Sequence, residues 1–79
     1  MYKRQESLDA ILEDIAALER QLAIHRRNLR TLQEKAAKYG PLDVPLFILN
    51  QIDDEENAIR GLEQELTRLQ AERERWGGG

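Results

Sequence analysis

The chain is expected to be all-α, a two-helix antiparallel coiled-coil hairpin that pairs into a four-helix bundle. Three observations predict this. Apolar residues recur at alternating spacings of three and four along two long stretches. The stretches mirror each other across one short break, Tyr39-Gly40-Pro41-Leu42-Asp43-Val44-Pro45, as the seam of an antiparallel hairpin requires. The 79 residues are 34% charged and only 5% aromatic, with abundant Leu, Glu, Arg, Gln and Ala, the profile of a long exposed helix and not of a sheet protein.

The first run is Leu8, Ile11, Ile15, Leu18, Leu22, His25, Leu29, Leu32, Ala36 and Tyr39, and it places helix 1 at about residues 4–39. Ser7, followed by Asp9 and Ala10, is positioned to cap its start, unless the charged segment ahead extends the helix by a turn. Lys35 and Lys38 put positive charge in the last turn, where it suits the macrodipole. Gly40 offers a left-handed C-cap, with Pro41 beyond it as a stop. The turn is assigned to about residues 40–43, with Asp43 as N-cap of helix 2 and Val44 and Pro45 in its first turn. Helix 2, at about 44–76, carries the second run: Ile48, Ile52, Glu55, Ile59, Leu62, Leu66, Leu69, Arg73 and Trp76. Residues 1–76 thus form the hairpin, and Gly77-Gly78-Gly79 reads as a glycine tail or linker of low helical propensity.

In an antiparallel pair, the numbers of facing residues have a constant sum. Pairing Leu32 with Ile52 brings Leu29 opposite Glu55, His25 opposite Ile59, Leu22 opposite Leu62 and Leu18 opposite Leu66. The same register sets Ile15 against Leu69, Ile11 against Arg73 and Leu8 against Trp76. The polar seam members His25, Glu55 and Arg73 are each expected to meet an apolar partner, with Glu55 snorkelling toward Arg30. Beside the seam, Arg26 can meet Glu56, and the basic stretch His25-Arg26-Arg27 with Arg30 lies across from Asp53-Asp54-Glu55-Glu56. Glu19 approaches Glu63 and Asp14 approaches Glu72. These like-charge meetings cost a few tenths of a kcal/mol unless Arg20 or Arg68 interposes.

The sequence narrows the chemistry. With no cysteine there is no disulfide framework, thiolate nucleophile or zinc cluster. No apolar stretch is long enough to cross a bilayer, and Asp9, Glu13 and Asp14 stand where a signal peptide needs an apolar block, so a cytoplasmic location is expected. His25, the lone histidine, reads as a tolerated seam residue, and Ser7, the lone serine, as a cap. No enzyme activity, cofactor or metal is expected. The net charge of −3 argues mildly against a nucleic-acid surface. The band from His25 to Arg30 lacks aromatic platforms and faces acids, which leaves nucleic-acid binding the weakest reading. A membrane surface is not expected as a partner.

A two-helix hairpin has one seam and two open sides, so its burial is thin against roughly 1.5 kcal/mol of conformational entropy per ordered residue. A second hairpin would supply the missing cover, and a homodimer is the expected assembly. Leu12 and Leu49 flank the seam, Ala16 and Ala23 continue the stripe beside Leu12, and Ile24 lies farther round; with Leu42, Leu46 and Phe47 these are the candidate partner interface. Two readings of the tip stand: Leu42 and Leu46 fold over the turn to close the core, or the tip is an exposed docking surface. Gly61 on the outer face of helix 2 is either a neutral site or a place where another backbone passes close. Asn50 can bond back to the turn or to helix 1 near Lys35, and Gln51 flanks the seam beside Lys35; both can equally serve recognition.

The turn carries a more specific pattern. Ala36-Ala37-Lys38-Tyr39-Gly40-Pro41-Leu42-Asp43-Val44-Pro45, then Leu46, Leu49-Asn50-Gln51-Ile52, Ile59, Leu62-Glu63 and Glu65-Leu66, resembles small helical-hairpin modules of bacterial multidomain proteins. Those modules stand beside STAND-type NTPases, caspase-like CHAT proteases, TIR domains or formylglycine-type enzyme domains. They are the effector-associated, death-like adaptor domains of conflict and signalling systems. The resemblance spans Ala36 to Leu66, and its core is the Tyr39-Gly40 turn, Val44-Pro45 and Leu49-Asn50-Gln51-Ile52. It implies homotypic or adaptor association that recruits an effector to its sensor, with a related helical adaptor domain as a further partner. Met1 and the glycine tail fit a module at the end of a longer protein. The competing expectation is a structural coiled-coil spacer or dimerisation element.

Overall fold

The computed structural model describes residues 2–78, and the side chains of residues 8–76. Two helices, α1 (Tyr2–Ala37) and α2 (Leu46–Gly78), pack antiparallel along their whole length, so the all-α hairpin is as expected. Helices of 36 and 33 residues give a rod of 59 × 15 × 15 Å. At 1.5 Å of rise per residue the helices alone account for its length.

Every apolar seam position on the described residues turns inward except Tyr39, which lies beyond the end of α1 and is exposed. Ile11, Ile15, Leu22, Ile48 and Leu69 are buried, and Leu8, Leu18, Leu29, Leu32, Ile52, Ile59, Leu62, Leu66 and Trp76 are half-buried. Ile11, Ile15 and Leu69 form one cluster, with Leu18, Leu66 and Trp76 packed on it. The tightest positions are Leu22, 3% exposed, and Ile48, 4% exposed, and no described side chain is completely enclosed. A single seam explains that ceiling, because each core residue has a wall of protein on one side only. Arg73 leaves the seam and is exposed, and Leu69 and Trp76 cover Ile11 instead. A long cationic side chain reaches water from a helix edge at little cost, whereas Ile11 gains from apolar neighbours.

The connection differs from expectation in four ways, each with a local cause. First, α1 ends at Ala37, not Tyr39; the Lys38 and Tyr39 amides donate to Lys35 and Ala36 carbonyls at 3.2 and 3.1 Å, tightening the last turn to three-residue steps. Second, Gly40 is not a left-handed cap, because no described residue has a positive φ. The chain reverses instead through a Gly40-Pro41-Leu42-Asp43 turn closed by the Asp43 amide donating to the Gly40 carbonyl at 2.9 Å, with Pro41 at the second position, which its fixed φ suits. A Cβ on Gly40 would lie 3.0 Å from Asp43 Oδ2, so glycine here makes room for that carboxylate.

Third, Asp43 does not cap α2. The Pro45 carbonyl accepts from the Ile48 and Leu49 amides at 3.0 and 3.3 Å, which puts Pro45 at the cap and starts α2 at Leu46. Val44 is barred from helical geometry because the ring of Pro45 crowds the residue before it. Fourth, Leu42 and Leu46 do not fold over the core: they are 98% and 70% exposed. Half-buried Ala36 and Val44 stand at that end beside buried Ile48. At the other end, α1 begins at Tyr2, so Ser7 lies within the helix and is no cap, and α2 continues from Trp76 through Gly77 and Gly78. Gly79 and Met1 lie outside the described residues.

Three substitutions separate these roles by urea unfolding. Leu22→Ala should cost about 2–3 kcal/mol, as a buried leucine truncation does. Asp43→Ala should cost less than about 0.5 kcal/mol, well under the ~1 kcal/mol of a lost N-cap. Gly61→Ala should raise stability by about 0.5–1 kcal/mol, since a Cβ there meets open space.

Candidate functional site

The polar groups of the seam find one another. His25 Nδ1–H donates to Glu55 Oε1 at 2.8 Å, with the two side chains 32% and 19% exposed. Glu55 therefore does not reach Arg30, and His25 is not left against Ile59 alone. A half-buried carboxylate needs a donor, and the imidazole one layer along the seam supplies it without leaving the helix interface. No group of three or more His, Cys, Asp or Glu among the described residues is placed to hold a metal ion.

Beside the seam, Arg26 pairs with Glu63 at 2.8 Å and not with Glu56. Helical side chains lean toward their own N-terminus, which swings Arg26 toward the open end of the hairpin and Glu63 to meet it. Arg26 thereby stands in the groove shared by Glu19 and Glu63, relieving one like-charge meeting that Arg20 was expected to relieve. Arg68 takes the role foreseen for it: it pairs with Glu65, reaches Glu72 at 3.9 Å, and borders a groove with Asp14.

The candidate interface residues do not form one surface. Leu12, Ala16, Glu19, Ala23 and Arg26 follow each other at spacings of four and three along one flank of α1. Leu49, Glu56 and Glu63 recur at heptad spacing on the matching flank of α2. Ile24, 58% exposed, lies on the opposite flank, with Ala17, Gln21 and Asn28. Phe47, 62% exposed, belongs to that second flank too, where it borders a groove with Lys35, Lys38, Tyr39, Ile48 and Gln51. Leu12, Ala23 and Leu49 are exposed and Ala16 is half-buried.

At the tip, Leu42 and Leu46 face solvent, and Tyr39, placed at the end of the seam by its spacing, is exposed beside Phe47. Gln51 does flank the seam beside Lys35. Asn50 is exposed, and among the described residues its side chain makes no hydrogen bond to the turn or to α1. Pro41 and Asp43 are exposed and Gly40 and Pro45 half-buried, so the turn motif presents Leu42 and Asp43 outward on a short rigid reversal. What spacing alone missed is the involvement of Lys35, Lys38 and Tyr39 around Phe47; the heptad relation of Lys35 and Lys38 to the Ile24 flank was the available signal.

No protein-family model, curated protein or solved structure matches the chain. No helix among the described residues is long and apolar enough to cross a membrane.

The two cross-helix side-chain pairs should differ in weight. A double-mutant cycle on His25→Ala and Glu55→Ala should give a coupling of about 1 kcal/mol that persists in high salt. The same cycle on the exposed Arg26–Glu63 pair should give less than about 0.5 kcal/mol and vanish in high salt. Equal coupling for both would contradict the seam pair's special position.

Proposed function

We propose that this chain is a non-enzymatic protein–protein interaction and oligomerisation module, an adaptor domain of a larger bacterial signalling or defence protein. The observation that carries this reading is the exposed apolar tip. Leu42 and Leu46 stand in water at the tip itself, with Tyr39 and Phe47 exposed on one side of it and Leu49 on the other, while no described side chain of the hairpin's own core is completely enclosed. Large apolar groups concentrated at one end of a rod mark a contact surface, because scattered single exposures are ordinary and clusters are not. The resemblance of Ala36 to Leu66 to death-like adaptor modules supports the same reading and supplies its biological setting.

A spacer fits the geometry less well. An antiparallel pair returns the chain to the end from which it started, so as a spacer it would hold flanking segments together and leave the tip without a use. Nucleic-acid binding also draws little support, since His25 and Arg26 of the basic band are already engaged by Glu55 and Glu63.

Light scattering across a concentration series tests the association: the mass should rise to that of a dimer in the micromolar range, and a fully helical monomer throughout would sink the proposal. Phe47→Ala should keep the helical circular dichroism of the parent and weaken association several-fold, about 1 kcal/mol or more for a lost aromatic anchor. A spacer would show no dependence on Phe47 and would capture no separate effector protein.

A further inference from the structure

We infer that a second copy of this chain docks on the Ile24 flank of α1, with the two α1 helices antiparallel about a twofold axis at Ile24. This rests on the reading of the chain as a self-associating module and names the surface that does the associating.

The flank is its own complement when reversed. From Ile24 outward in one direction come Gln21, Ala17 and Asp14, at three, seven and ten residues, and in the other Asn28, Thr31 and Lys35, at four, seven and eleven. A twofold axis at Ile24 therefore sets Ala17 level with Thr31 and brings Gln21 and Asp14 within one residue's rise of Asn28 and Lys35, each contact occurring twice. The two amides can exchange donors and acceptors. Thr31 Oγ1 already donates to the Arg27 carbonyl at 3.1 Å, which satisfies its hydroxyl and frees its methyl for Ala17. Neither Asp14 nor Lys35 has an ion-pair partner among the described residues. Within one α1 they are separated by about 32 Å at 1.5 Å per residue, so they can meet only between copies.

Between those two charges the stripe carries none, and at its centre Ile24 is a large aliphatic side chain that packing inside the hairpin does not explain. Depletion of charge at the centre with opposite charges at the rim is the usual layout of a protein interface. The opposite flank lacks it: Glu19 and Arg26 interrupt the stripe of Leu12, Ala16 and Ala23, and Arg26 is engaged by Glu63. Docking with the helices parallel would set Asp14 on Asp14 and Lys35 on Lys35. In the antiparallel arrangement, the basic pair Lys35 and Lys38 beside Phe47 arrives at the Glu13–Asp14 end of the second copy's flank.

The hairpin as a whole has surface to spare for such a contact. The hairpin exposes 6170 Å², whereas a globular monomer of 9.2 kDa exposes about 4,900 Å². The excess, on the order of 1,200 Å², exceeds the roughly 800 Å² that one partner contributes to a standard interface.

Two experiments on the full chain test this. The protein has no cysteine, so single cysteines can be placed freely. With a short bis-maleimide, Ile24→Cys should cross-link to a covalent dimer, and Leu12→Cys on the other flank should not. Separately, Asp14→Lys should raise the dimer dissociation constant by about tenfold or more, and Asp14→Lys with Lys35→Asp should return it to within about threefold of the parent. If the parent dimerises but Ile24→Cys fails to cross-link, Leu12→Cys cross-links instead, or the double exchange stays as weak as Asp14→Lys, this docking is overturned while self-association stands. A parent that stays monomeric overturns both.

Discussion

Everything in this molecule follows from the fact that two helices share a single seam. Among the described residues five side chains reach burial, all apolar and none completely enclosed, and they are strung along a rod 59 Å long instead of gathered into a centre. A core of that shape sets no limit on length, but it gives each layer only two contributors, so a polar residue in one layer has to be accommodated by its neighbours. Arg73 is accommodated by leaving, and Glu55 by reaching His25. The same thinness leaves both flanks of each helix in water, which is why surface chemistry, and not any enclosed site, carries the functional reading.

The antiparallel fold was legible in the sequence because the apolar spacing specifies it redundantly: most seam residues in α1 have an apolar counterpart in α2, with Glu55 and Arg73 the exceptions. What was not legible follows from effects that a spacing rule does not contain. A constant sum treats each layer as flat, so it separates His25 from Glu55, although a half-buried carboxylate will stretch along the seam to a donor. It likewise pairs Arg26 with Glu56, although the lean of helical side chains carries Arg26 toward Glu63. The start of α2 was misplaced for a reason already visible in Val44-Pro45, since a residue before proline avoids helical geometry. Gly40 suggested a left-handed cap because glycine usually supplies one there, yet here its small size beside Asp43 is what matters.

For the candidate surface, the residue types were readable and their grouping was not. Leu12, Ala16, Ala23 and Leu49 share one flank, Ile24 and Phe47 the other, and Leu42 and Leu46 the tip; only the wheel of both helices taken together separates them. That separation also sorts the charges. The flank with Leu12 carries Glu19, Arg26 and Glu63 and neutralises itself across the hairpin. On α1 the Ile24 flank keeps its charges at the ends, where among the described residues neither Asp14 nor Lys35 forms an ion pair, although Asp14 shares a groove with Arg68. One flank is neutralised across the hairpin, and the other is the face on which we propose that a second copy docks.

The reversal between the helices has a further consequence. Its geometry uses no positive φ, one hydrogen bond closes it, and Leu42 at its apex touches solvent almost everywhere. The seam therefore asks very little of the residues at the apex beyond a short connection. Variation there is decoupled from folding: the side chains a tip displays can drift, lengthen or change charge while the long zipper of leucines and isoleucines stays the same. A hairpin of this kind separates the text that must be kept from the text that can be rewritten, so what its apex displays can change without altering how it folds.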